Sequence, residues 1–328
     1  MNVILDLGVK LILFLQGLGG WLSGPMKALS FLGYEQFYLL LMPILYWCID
    51  PAVGMRVGAL LLFSGSINEF FKLAFHAPRP YWYSTQVRAF STESSFGIPS
   101  GHAQNAVSVW GGLAATIRRK WAWVVAILLM VLIGLSRLYL GVHFPSDVLV
   151  GWAIGTLFLW VFLKLEEPIK AWGRKLSLAN QILVVFGVSV ILILLVVGVK
   201  LSLAGWVLPA EWVQNAAAAD PKAAPIDPLA VSGAFSQTGA LFGLSLGAIL
   251  LRHSGGYNAK GELWQQAVKF VIGMIGVLIF WMGLDLVFPA GEGFLPLLLR
   301  YLRYGLVGLW AAYLAPWIFI KLKLATQK

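Results

Sequence analysis

Long apolar runs, each interrupted by a few turn-forming or basic residues, recur along all 328 residues of the chain. A membrane-spanning helix needs about 20 largely apolar residues. By that measure the pattern predicts nine spans, over 34–50, 53–75, 102–118, 121–142, 146–165, 179–201, 231–251, 267–288 and 297–320. The first and third are short for a full crossing and imply tilt or local thinning of the bilayer. Runs of this length exclude transmembrane β-strands, which alternate apolar and polar positions. Residues 1–33 follow another pattern. They are apolar but carry Asp6, Lys10, Gln16 and Lys27, and they break at Gly17-Leu18-Gly19-Gly20 and at Gly24-Pro25. This stretch reads as one or two amphipathic helices lying in the interface, with a tenth span as the competing reading. The predicted fold class is all-α, a polytopic transmembrane helical bundle in three regions: the amphipathic segment 1–33, a five-span core over 34–177, and a four-helix extension over 178–328.

Composition agrees. Apolar residues make up 59% of the chain and charged residues 12%, about half the charged share of soluble domains. That excludes an ordinary cytosolic enzyme, a disordered chain and a coiled coil. The net charge of +10 would suggest nucleic acid in a soluble protein. Here the basic residues fall mostly in short loops between spans, which signals orientation, so no nucleic-acid partner is expected. If the first span ends in the cytoplasm, that side receives 14 of the 24 basic residues, including Arg118-Arg119-Lys120 and the 164–175 loop. The N-terminus is then outside and the C-terminus inside. The long polar segments 76–101 and 203–230 are outside, the second reading as a loop or surface helix. Cys48 is the single cysteine and forms no internal disulfide. No basic residue precedes Asp6, so a cleaved signal is not expected. Spaced glycines at 151/155 and 239/243/247 read as close helix packing within the chain, with a homo-oligomer interface as the alternative.

The informative polar residues gather at one predicted membrane face. Lys72 and Arg79 lie at the end of span two, which Pro78 and Pro80 terminate. Arg137 ends span four. Singly, such cations are often dipole partners or snorkelling anchors. Together they suit a phosphate, because guanidinium forks grip its oxygens in pairs and ammonium adds a point charge. Ser100 follows Pro99 and serves as the N-cap of span three; the N–H groups of Gly101 and His102 then face an anion. His143 and Asp147 are four residues apart around Pro145, so the carboxylate can hold one ring nitrogen and leave the other to attack. His102 would be the general acid. A zinc site of histidines and aspartate is the competing reading, disfavoured by three nearby cations; no metal and no cofactor are expected. Glu69, three residues before Lys72, is read as holding that lysine or as pointing into the bundle; with His76, four residues after Lys72, and Trp82 it is a candidate for the entrance of the site. Trp82 and Tyr83 are also read as part of the interfacial aromatic belt. Asp285 is an intramembrane acid, a functional candidate or a packing residue.

Three motifs now stand in order: a lysine, six residues and Arg-Pro (Lys72, Arg79, Pro80); Pro-Ser-Gly-His (Pro99 to His102); and Ser-Arg, five residues, His, three residues, Asp (Ser136, Arg137, His143, Asp147). In this the chain resembles the type 2 phosphatidic acid phosphatase superfamily of integral-membrane phosphatases, over roughly residues 34–165. The resemblance implies metal-independent, two-step hydrolysis. It implies that His143 forms a phosphohistidine, Asp147 orients it and His102 protonates the leaving group. Lys72, Arg79, Ser100, Gly101 and Arg137 would bind phosphate.

For substrate, the resemblance implies a lipid phosphate of the phosphatidate, phosphatidylglycerophosphate or polyprenyl diphosphate type. Arg79-Pro80-Tyr81-Trp82, with nine spans and an outside N-terminus, also resembles glucose-6-phosphatase, which takes a sugar phosphate. A phosphotransferase of the same fold and a non-catalytic transporter or scaffold are the other readings. The expected location is a bacterial inner membrane, with the site on the extracytoplasmic side.

Overall fold

The computed structural model describes residues 2–328, and the chain is helical throughout, with no β-strand among the described residues beyond one bridge between Asn258 and Thr326. Among the described residues, seven helices are long and apolar enough to cross a membrane, or eight if the bent N-terminal pair counts as one span. The expected count of nine is therefore approximate. Glu35–Ile49 and the broken helix over 101–117 are the two that do not reach 18 residues. The first ends where Asp50 turns extended. The second ends at Arg118, whose left-handed φ of 56° stops the helix.

At the N-terminus, Val3–Gly17 and Gly20–Phe31 meet at 92°. Gly19 makes the corner at φ 118°, a conformation that a side chain would strain. The polar segment 203–230 contains the helix Ala210–Ala219.

The chain divides into two compact units. One comprises the N-terminal stretch to Phe37, Ile67–Leu159 and Val196–Ala230. Its N-terminal helices are tied in by polar contacts. Gln16 Nε2 donates to the carbonyls of Arg88 and Tyr139, both at 2.9 Å, and Tyr139 OH donates to Gly19 O at 2.8 Å. The spaced glycines of Pro145–Gly173 face the start of the 101–117 helix. A Cβ on Gly151 would lie 2.7 Å from Ser100 O, and one on Gly155 2.8 Å from Gln104 O. Helix Ala210–Ala219 packs on the short helix Pro80–Tyr83, where Asn215 Nδ2 donates to Trp82 O at 2.9 Å.

The second unit comprises Tyr38–Ser66, Trp160–Leu195 and Val231–Lys328. Its centre is the pair Ser232–His253 and Phe294–Leu309. Gly239, Gly243 and Gly247 lie against Tyr301, Gly305 and Ala312, so backbone meets backbone. Both glycine ridges thus serve packing within the chain. Glu292 accepts hydrogen bonds from the N–H groups of Val231 (2.7 Å) and Ser232 (3.3 Å) at the start of the first helix. Asp285 pairs with Arg303. The fully buried Lys269 donates to Ala259 O at 2.6 Å and lies over the Tyr257 ring.

Candidate active site

The first unit brings the three motifs together. Helix Pro51–Phe75 ends just before His76, whose φ of 37° turns the chain. Arg79 is then extended, and Pro80 opens the next helix. Its proline ring lacks an N–H that would go unpaired there in any case. This local sequence drives Arg79 inward until it is fully buried. A buried guanidinium must spend its donors on acceptors, and Arg79 does so. Nε donates to Ser95 O (2.6 Å), Nη2 to Ser95 Oγ (3.1 Å) and Phe96 O (3.1 Å), and Nη1 to Val142 O (3.0 Å). Lys72 Nζ donates to the same Ser95 Oγ at 2.7 Å.

Ser100 is the N-cap of the helix that begins at Gly101, and its Oγ accepts from Ala103 N at 3.4 Å. Its own N–H donates to Asp147 O at 2.9 Å, which joins the second motif to the third. Asn68 lies beneath this turn and donates to Pro99 O and to Gln104 Oε1. Gly97 is needed where these segments converge: a Cβ there would lie 2.5 Å from Pro78 O and 3.1 Å from Asp147 Oδ2.

His143 lies in the turn between helices Lys120–Tyr139 and Pro145–Gly173. Its Nδ1 is 3.2 Å from Asp147 Oδ2, which also accepts from Phe144 N at 2.9 Å. Its Nε2 is 3.3 Å from Arg79 Nη1. A carboxylate on Nδ1 keeps the proton there and leaves the Nε2 lone pair facing the guanidinium. Burial holds the imidazole well below its ordinary pKa, and the charges of Arg79, Arg137 and Lys72 act the same way, so the ring is neutral near pH 7. His102 Nε2 is buried with no hydrogen-bond partner among the described residues, and its ring stands edge-on to Tyr34 at 4.6 Å between centroids.

Arg137, fully buried in the last turn of its helix, donates to Ser30 Oγ (2.6 Å), Tyr34 OH (3.2 Å) and Glu93 Oε1 (2.5 Å). Burial pushes the Glu93 carboxyl upward, but Arg137, Arg79, His102 and Lys72 outweigh it and hold the group down at about 2. Glu69 lies within electrostatic reach of Lys72.

Lys72, Arg79, Ser100, Gly101, Arg137, His143 and Asp147 thus belong to one connected cluster, with His102 against its Tyr34 wall. The entrance assignments fare differently. His76 packs edge-on to Phe96 and Trp206. Trp82 is fully buried, with its ring under Arg79 and beside Trp212. Its ring therefore has no exposed face in this structure. The packing demand of a buried guanidinium explains the difference. Ser95, Glu93, Asn68, Ser30 and Tyr34 are cluster members that the motifs do not reveal.

Residues 53–170 match the PAP2 superfamily, and residues 235–327 match the transmembrane extension of PAP2 superfamily phosphatases. Phosphatidylglycerophosphatase B of Bacillus subtilis (strain 168) is 31% identical over 170 residues, 47% of this chain and 80% of that protein. An undecaprenyl-diphosphatase of Sulfolobus acidocaldarius is 29% identical over 156 residues, 45% of this chain and 74% of that protein. Glucose-6-phosphatase catalytic subunit 1 of Haplochromis nubilus is 25% identical over 282 residues, 75% of this chain and 77% of that protein. The chain is an integral membrane protein and belongs to the PAP2 superfamily of phosphatases.

Proposed function

We propose that this protein hydrolyses the terminal phosphate of a membrane lipid, a phosphomonoester or diphosphate, through a phosphohistidine on His143. The observation that carries the reading is the placement of one imidazole between two partners. Asp147 holds Nδ1, and the cation of Arg79 faces Nε2. A phosphate entering between Arg79, Lys72 and Arg137 would present its phosphorus to that lone pair.

In the first step the Nε2–P bond forms as the P–O bond to the leaving group breaks, and His102, protonated once the negative charge of the phosphate is bound beside it, gives its proton to the departing oxygen. Asp147 stabilises the charge that develops on the ring. In the second step a water attacks the phosphohistidine, its proton passes to His102, and inorganic phosphate leaves with His143 neutral again. Charge on the equatorial oxygens is met by the three cations, which supply most of the stabilisation. Three cations around one site also repel a divalent metal, so the reaction is read as metal-independent. The two lipid-acting relatives named above support a lipid substrate. The glucose-6-phosphatase match over three quarters of the chain favours a sugar phosphate as the second reading.

The test is phosphate release from detergent-solubilised protein over a panel of lipid and sugar phosphates, with EDTA present. His143→Ala should abolish release from every substrate. Loss of wild-type activity in EDTA would end the metal-free mechanism. Transfer of phosphate to an acceptor lipid, in place of free phosphate, would make the protein a phosphotransferase.

A further inference from the structure

Glu93 takes no part in the mechanism above, yet its carboxylate lies in the phosphate cradle. One oxygen accepts from Arg137 Nη2 at 2.5 Å, and Arg79, His102 and Lys72 all act on it electrostatically. A phosphate oxygen gripped by Arg137 would need the same place. The main chain at this residue is pinned, since Tyr81 OH donates to Glu93 O at 2.8 Å and accepts from Glu93 N at 2.9 Å. Beside it lies a cavity of about 480 Å³, lined by Glu93, Thr92, Ser94, Tyr81 and parts of the 213–226 segment. That space adjoins the side chain, so a displaced carboxylate would have room beside the pinned backbone.

We infer that Glu93 is a specificity-determining residue: a resident monoanion that a ligand must displace, so that the cradle admits a terminal phosphate dianion and rejects a phosphodiester monoanion. The inference rests on the phosphate reading of the cradle and deepens it. A phosphodiester carries one negative charge, so its exchange for the carboxylate gains no Coulomb energy and still requires desolvation. A phosphomonoester near neutral pH carries close to two, because its second pKa is about 6, and it gains on exchange. The carboxyl, held at about 2, is ionised throughout that range. Most bilayer headgroups are phosphodiesters, and a bare cluster of three cations at the membrane surface would bind them. Glu93 gives the site a threshold that they do not pass.

The experiment is calorimetric titration of the full-length protein in detergent with inorganic phosphate and with dimethyl phosphate, at about pH 8, where inorganic phosphate is a dianion. Wild type should bind inorganic phosphate and bind dimethyl phosphate weakly or not at all. Glu93→Gln, which keeps the shape and removes the charge, should bind dimethyl phosphate more tightly than wild type by about tenfold or more. Glu93→Asp, whose shorter side chain weakens the contact with Arg137, should show a smaller gain and serves if the glutamine variant does not fold. Equal dimethyl phosphate affinity in wild type and variants would overturn the inference. If no form binds inorganic phosphate, the cradle reading itself fails and this inference falls with it.

Discussion

Ser95 Oγ accepts hydrogen bonds from Lys72 Nζ and Arg79 Nη2, while its carbonyl accepts from Arg79 Nε. Two like charges are thus held side by side by one small residue. Hydrogen bonds to charged groups contribute roughly 1.5–3 kcal/mol each. Ser95→Ala keeps the carbonyl contact and removes the bridge. It should raise KM roughly tenfold with a smaller change in kcat, and Ser95→Thr should restore most of the loss; steady-state kinetics on one substrate checks both. Glu93 makes a prediction about acid. Its pKa is lowered on folding from 4.5 to about 2, so the pair with Arg137 stabilises the protein above about pH 4.5 and loses that contribution as pH falls toward about 2. Thermal melts taken down through this range should fall more steeply for wild type than for Glu93→Gln. The legible part at this scale was the motif chemistry. His143, Asp147, Arg79 and Arg137 announce themselves by spacing around prolines and helix ends. Ser95 and Glu93 lie in the irregular segment 84–99, where no periodicity marks an inward side chain. Their roles come from contacts with residues up to 44 positions away.

Helix contacts decide whether the motifs meet. Gly151 faces Ser100 O and Gly155 faces Gln104 O, so Pro145–Gly173 lies nearly backbone to backbone against the start of the 101–117 helix. His143 and Asp147 sit just before and within the first turn of one helix, and Ser100 and His102 at the start of the other. A side chain between them would separate His143 from His102, the proposed nucleophile and acid. Gly151→Ala should therefore cut phosphate release several-fold and lower the melting temperature, as overpacking costs about 1–3 kcal/mol. Gly173→Ala, at a position where an added Cβ would meet nothing within 4 Å, should do neither. The sequence pattern located these helices and their glycine ridges well, because apolar length and small-residue spacing are local signals. It did not show that residues 1–33 build the site. Apolar composition placed that stretch on the membrane surface, but Ser30 and Tyr34, just beyond its end, both reach Arg137. Ser30→Ala should weaken phosphate binding without altering membrane insertion, which titration and a flotation assay separate.

Across the whole molecule, charge predicts direction. Arg137 ends the helix Lys120–Tyr139, and Arg118, Arg119 and Lys120 lie at its other end. The cradle is thus one helix length from the densest basic cluster in the chain. Basic loops tend to stay in the cytoplasm, so the prediction from this cluster is an outward-facing cradle, on the same side as the 203–230 segment. That segment contributes Trp206 and Trp212, which pack on Phe96 and Trp82 beside the cradle. Nothing in hydropathy foretold those contacts, since a tryptophan in a polar loop reads the same whether it faces lipid, water or protein. The orientation is open to direct measurement because Cys48 is the single cysteine. In a Cys48→Ala background, Lys222→Cys and Arg119→Cys each place one thiol at an exposed position, on opposite predicted sides. A membrane-impermeant maleimide added to intact cells should label the first and spare the second until the membrane is permeabilised. The reverse pattern would turn the cradle to the cytoplasm. The substrate would then have to reach it from the inner leaflet, and the outward reading of the basic loops would be lost.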